Sequence, residues 1–201
     1  PKQYLNQPLR LVYAGNLLWG RADTLAAVAD ALEQVNKDVI KATLEIYTGT
    51  TISEQLDKKL NRGASSKVMG SRTYEEIKQI MHEADITLHV ESFDKKTIET
   101  VRYSFSTKVI DCLQSGNQVL GIGPAGIASI EYLRKIKGVL VVDDQNQIPI
   151  AITNIIDNLN TIVENRNSIR VYARKHHEIS MVQSAVKKDF EELLSSLNNK
   201  V

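Results

Sequence analysis

Short apolar runs alternate with longer amphipathic stretches along this chain. Residues 9–14, 42–48, 67–70, 85–90, 118–122 and 139–142 are mostly aliphatic or β-branched, and most end near Gly, Asp or Ser. That pattern predicts six strands. Between them, residues 22–36, 52–61, 74–83, 106–114 and 127–136 carry helical spacing. In the first of these, Leu25, Val28, Ala29, Leu32 and Val35 form one stripe, with Asp23 or Thr24 placed to cap its start. Thr73 and Glu76 form a capping box ahead of Ile77, Ile80 and Met81. After the sixth strand only helical patterns follow, over 148–163, 165–177 and 181–197, and the last four residues, 198–201, are expected to fray. Strand–helix alternation at this spacing predicts an α/β fold: a doubly wound parallel sheet of about six strands, with right-handed crossovers and extra C-terminal helices.

Composition narrows the classes. A length of 201 residues suits one domain. Lys plus Arg is 25 and Asp plus Glu is 24, so the basic excess of a nucleic-acid binder is missing. A hydrophobic share of 42% argues against disorder. No apolar run approaches the roughly 18 residues of a membrane helix. The single cysteine, Cys112, forbids an internal disulfide and a thiolate zinc cluster, and fits a reducing, cytosolic setting. No His and carboxylate set has metal-ligand spacing, so no metal is expected. The chain opens at Pro1 and enters a strand almost at once, which suggests a piece cut from a longer polypeptide at a domain boundary.

In an open parallel sheet, ligands sit beyond the carboxyl ends of the strands, where helix N-termini favour anions. Residues 15–21, 49–53, 70–73, 91–108 and 121–126 are therefore the candidate segments. In 15–21, Arg21 stands at a helix start, where a cation suits the dipole only if it meets an anion such as phosphate; a surface arginine on a flexible loop is the plain alternative. Leu17, Leu18 and Trp19 are either core or a face for a missing domain. Residues 121–126 read Gly-Ile-Gly-Pro-Ala-Gly, a literal dinucleotide fingerprint in form, with Asp143 and Asp144 some twenty residues on. It falls on the fifth strand, and Pro124 removes a donor, so a glycine turn beside another ligand is the stronger reading. In the third segment, Ser104, Ser106 and Thr107 offer hydroxyls and free amides, and Asp111 lies one turn further in. A carboxylate there can accept both hydroxyls of a ribose, or simply complement the helix dipole.

This third segment resembles the donor-binding, C-terminal half of GT-B-fold glycosyltransferases of family 4. The run Asp111-Cys112-Leu113-Gln114-Ser115-Gly116-Asn117-Gln118-Val119 stands where that family has an acid, small residues, glycine, proline and valine. Phe105-Ser106-Thr107-Lys108 resembles a variant that places Ser and Lys before the acid. Residues 12–17 and 20–25 are similar to the family's first strand, glycine loop and basic residue; residues 68–70, 74–77 and 84–86 to its third strand, helix and fourth strand; residues 173–178 to its C-terminal end.

The resemblance implies a Rossmann-like domain that binds a nucleoside-diphosphate sugar. It also implies hexosyl-type transfer to an acceptor hydroxyl in glycan biosynthesis, with no separate cofactor. Asp111 then holds the ribose, and Arg21 and Lys108 the diphosphate. Gly15, Asn16, Ser104, Ser106 and Thr107 surround the phosphates, while Met69, Gly70 and Ser71 flank the base. An acceptor domain would precede this one, so the chain alone is expected to be inactive. A cytoplasmic location, with peripheral docking at the inner face of a membrane for lipid acceptors, fits the same picture.

The sequence departs from the family at Tyr103, where a first glutamate is usual, and at Asn16, where a second basic residue often stands. Glu91 and Glu99 form a literal pair at the family's spacing, but in the wrong context, and read as solvated loop charges. Two rivals remain: a nicotinamide-dinucleotide oxidoreductase using residues 121–126, and a non-catalytic relative that lost its site. Cys112 reads as a core filler, His89 as structural, His82 as one of a helix face, and His176-His177 as a solvated helix end.

Overall fold

The computed structural model describes residues 4–198; the expected fraying of residues 199–201 lies outside them. Six strands form one sheet: β1 (Leu9–Ala14), β2 (Ala42–Tyr47), β3 (Ser66–Gly70), β4 (Ile86–Val90), β5 (Gln118–Ile122) and β6 (Leu140–Val142). All pair in parallel, in the order β3-β2-β1-β4-β5-β6. β4 and β5 are buried along their whole length; most of their side chains are apolar, and the polar ones, Thr87, His89 and Gln118, are each hydrogen-bonded.

Among the described residues nine α-helices accompany the strands: α1 (Arg21–Val35), α2 (Glu54–Leu60), α3 (Tyr74–Glu83), α4 (Lys95–Val101), α5 (Lys108–Gln114), α6 (Ala128–Arg134), α7 (Ile148–Asp157), α8 (Leu159–His177) and α9 (Ile179–Asn198). One apolar cluster joins Leu11, Tyr13, Ile46 and Leu88 to Leu25, Val28 and Leu32 of α1 and Ile152 of α7. A second joins Val12 and Val119 to Met81 of α3, Val109 and Leu113 of α5, Leu133 of α6 and Ile169 of α8. The alternation of β1 side chains between the two clusters is the signature of a sheet covered on both faces.

Three local expectations change. α1 starts at Gly20, in left-handed conformation, with no side-chain cap. Thr24 instead donates its hydroxyl to the Glu91 carbonyl, and Asp23 pairs with Lys59. α4 lacks any buried residue, so it has no apolar stripe to betray it; its start is marked by Asp94, which accepts from the Thr97 amide. The long C-terminal pattern breaks at Asn158, whose ψ of 58° leaves the helix, rather than near residue 164. The break lets α8 cross beneath the sheet from one face to the other. Arg166 on α8 there meets the buried carboxylate of Asp85 at 3.1 Å. No helix among the described residues is long and apolar enough to cross a membrane.

Candidate functional site

β1 and β4 are neighbours although two strands separate them in sequence, so the winding direction reverses between them. The loops leaving this switch point are where such folds place ligands. Here an internal ion pair fills part of the crevice. Arg21 donates through Nη2 to Glu91 Oε2 at 2.9 Å and through Nη1 to Asn16 Oδ1 at 2.9 Å. His89 Nε2 lies 2.9 Å from Ser129 Oγ and 3.4 Å from Glu91 Oε1. Glu91 is only 2% exposed. The expectation of a solvated loop charge is therefore wrong for Glu91, whereas Glu99 is exposed on α4. Burial opposes ionisation of Glu91, but His89 and Arg21 together hold its carboxyl below the ordinary range.

An open cavity begins at Gly15, next to Asn16 of this network. It measures about 690 Å³ and runs between α3 and α5 at the carboxyl ends of β1, β2 and β3. Of the expected residues, Gly15, Ser71, Lys108 and Asp111 line it. The Asp111 carboxylate is half-buried. Burial pushes its pKa up, against the pull of Lys108, a hydrogen bond from Tyr74, and Lys78. The acid thus faces a cavity and three polar partners, not packed interior. The Lys108 stem lies over Gly15: a Cβ there would come 2.9 Å from Lys108 Cε and 2.8 Å from the Tyr13 hydroxyl. Tyr13 donates to the Asn16 carbonyl at 2.6 Å, which pins the loop.

The other expected residues surround the cavity without lining it. Asn16 and Arg21 are bonded to each other. Met69 packs partly against the core, and the Gly70 carbonyl accepts from the Thr48 amide. Ser104 is exposed on the loop before α5. Ser106 and Thr107 stand at the start of α5, one residue or two before its first turn, and the Thr107 side chain makes no cap. The amides of residues 106–108 donate to no described group, while those of Val109 and Ile110 donate to the Ser106 and Thr107 carbonyls. Sequence reasoning missed the outer face of α3, where Tyr74, Lys78 and His82 line the cavity at successive four-residue steps. That spacing is visible in the sequence, but the residues stand on a helix flank, away from the helix N-termini where anions are expected.

The Gly-Ile-Gly-Pro-Ala-Gly run serves packing. A Cβ on Gly121 would meet Leu133 Cδ1 at 2.9 Å, and one on Gly123 would meet Glu91 Cβ at 2.9 Å. The Gly126 amide donates to Glu131 of α6, and Asp143 pairs with Arg134. None of the six lines the large cavity. Cys112 is buried in the core, and burial pushes its thiol up to about 12. His177 is not a solvated helix end. It is half-buried against Tyr132, whose hydroxyl lies 2.7 Å from His177 Nε2, and burial lowers its pKa.

No family model matches the sequence, and no curated protein is significantly similar to it. Solved structures do match the fold. WaaG, a glycosyltransferase involved in lipopolysaccharide biosynthesis, superimposes with a TM-score of 0.64 at 16% identity, over 90% of this chain and 46% of that one. HepE from Anabaena, in complex with UDP, gives 0.70 at 14% identity, over 92% and 49%. The C-terminal domain of a group 1 family glycosyl transferase, LpcC from Francisella tularensis, gives 0.64 at 12% identity, over 87% and 89%. The chain thus has the six-stranded Rossmann-like fold of GT-B glycosyltransferase domains. It spans about half the length of WaaG and HepE and most of the isolated C-terminal domain.

Proposed function

We propose that this chain is the donor-binding domain of a glycosyltransferase that takes a nucleoside-diphosphate sugar between α3 and α5. The observation that carries this reading is the half-buried Asp111 carboxylate facing the cavity at the sheet's carboxyl rim, in a domain with this fold. Asp111 accepts the ribose hydroxyls. Lys108 and the amides of residues 106–108 meet the diphosphate, with the hydroxyls of Ser104, Ser106 and Thr107 nearby. Gly15 and Asn16 let the phosphates approach the backbone, and Met69, Gly70 and Ser71 flank the base. Arg21 acts on the diphosphate only through whatever donors Glu91 and Asn16 leave it.

Transfer of the sugar to an acceptor hydroxyl builds negative charge on the departing diphosphate. Fixed donors already aimed at that charge lower the barrier, by about 3 kcal/mol per donor in comparable sites. The acceptor and its base belong to an N-terminal domain of the same protein, so this chain alone binds donor and turns nothing over. The protein acts in the cytoplasm, at a membrane surface when its acceptor is a lipid.

Thermal-shift screening against UDP-, GDP-, ADP- and dTDP-sugars tests the reading. One nucleotide series should raise the melting temperature, and Asp111→Ala should abolish the rise. An unchanged rise in that variant would move the ribose contact elsewhere. No rise with any series would favour a relative that has lost its site, for which the internal pairing of Arg21 with Glu91 is the supporting observation.

A further inference from the structure

A second cavity, of about 500 Å³, opens where the C-terminal ends of α3 and α5 meet α8. It adjoins the first, with Lys78, His82, Gln114 and Ser115 forming the wall between them. Its charge is one-sided. Lys78, His82, Arg170 and Arg174 face it, against the single acid Glu178.

Helix C-termini attract cations, and that explains part of the cluster. Arg170 Nε donates to the Gly116 carbonyl at 2.9 Å, and His82 Nδ1 lies 3.3 Å from the Ser115 carbonyl. It does not explain the remainder. The terminal amino groups of Arg170 have no acceptor, and Arg174 makes no ion pair or hydrogen bond among the described residues. Lys78 has an exposed contact with Glu75 at 3.9 Å, lies over the Tyr74 ring and feels the Asp111 charge, but donates no hydrogen bond among the described residues. The Arg170 stem is held close over Gly116, whose φ of 70° suits glycine; a Cβ there would lie 3.0 Å from Arg170 Cγ. The Arg170 guanidinium is therefore fixed at the cavity wall. Burial, then Arg166 and Arg174, lower its pKa, as uncompensated positive charge must.

We propose that this second cavity is a binding site for the phosphate group of a small ligand, separate from the donor cavity it adjoins. Arg170 and Arg174 stand one turn apart on α8. Two guanidinium forks at that spacing suit a tetrahedral dianion better than a carboxylate, and Lys78 and His82 close the opposite wall. The proposal stands without the donor reading, since its two anchoring arginines, Arg170 and Arg174, line the second cavity and not the first.

Inorganic phosphate titrated into the isotopically labelled 201-residue chain, followed by amide NMR, provides the test. The Gly116 and Ala173 amides should shift saturably, while those of Gly15 and Gly49 stay still. Arg174→Gln should weaken the effect by about tenfold, the loss of one charge-assisted contact. Arg170→Gln with Arg174→Gln should remove it, in a spectrum otherwise that of the folded chain. Vesicles bearing an anionic phosphomonoester lipid provide a second arm. Co-sedimentation abolished by the double variant would make the phosphate a lipid headgroup, and shifts with free phosphate alone would make it a soluble ligand. Shifts confined to Gly15 and Gly49, shifts that chloride reproduces, or a double variant that binds like the parent would each overturn the proposal.

Discussion

Glu91 shows how a single residue changes meaning once its surroundings are known. In sequence it is one of many charges in a polar loop. In the fold it is sealed beneath Arg21 and beside His89, and its carboxylate is worth more folded than unfolded. Because its folded pKa is lowered, its contribution is fully present above the ordinary glutamate value of 4.5 and is lost as pH falls through the lowered value. Glu91→Gln should cost about 3 kcal/mol at neutral pH, since it leaves the partly buried Arg21 without its anion. Urea unfolding should show the gap to the parent closing in acid. Asp111 runs the other way. If Asp111 holds the ribose as proposed, its raised pKa means that nucleotide affinity should climb with pH through that value, and Asp111→Asn should flatten the profile in a nucleotide titration. Cys112, buried and with its thiol pushed to about 12, should resist thiol reagents until the chain unfolds, so its labelling rate should track global opening.

At the scale of elements, legibility followed burial. β1, β5 and α3 have the bounds their patterns predict, because each has a face set by the core. The Thr73 capping box is present in both directions, with Thr73 Oγ1 accepting from the Glu76 amide and Glu76 Oε2 from the Thr73 amide. α4 escaped because it buries nothing, and the boundary of α7 and α8 was misplaced because apolar spacing continues across Asn158. The glycine run that begins in β5 is a motif correct in form whose first two glycines serve packing, in keeping with the preference for a turn over a dinucleotide site. Gly121→Ala should drive a methyl into Leu133 and destabilise the domain by about 1–3 kcal/mol in denaturant unfolding.

Across the whole molecule, one buried ion pair ties the two faces together. Asp85, at the start of β4, receives the Asn6 and Arg10 amides and the Arg166 guanidinium, so the N-terminal segment, β1 and α8 share one anchor. Removing Arg166 should therefore be far more damaging than removing any exposed arginine. α9 lies at the other extreme. Its described side chains, including Met181, Val186 and Phe190, are exposed, and its main packing is against α8. Ending the chain after Glu178 should lower helical circular dichroism while leaving the melting temperature nearly unchanged.

The amino-acid sequence by itself determined the strand and helix periods, the α/β class and the acid placed on the first turn of α5, because burial imposes regular spacing that can be counted along a chain. Only the tertiary structure decided that Arg21 spends its charge on Glu91, that the flank of α3 walls the cavity, and that Arg170 and Arg174 converge with Lys78 and His82. Those facts are distances between residues far apart in sequence, and no local period encodes which charge will meet which.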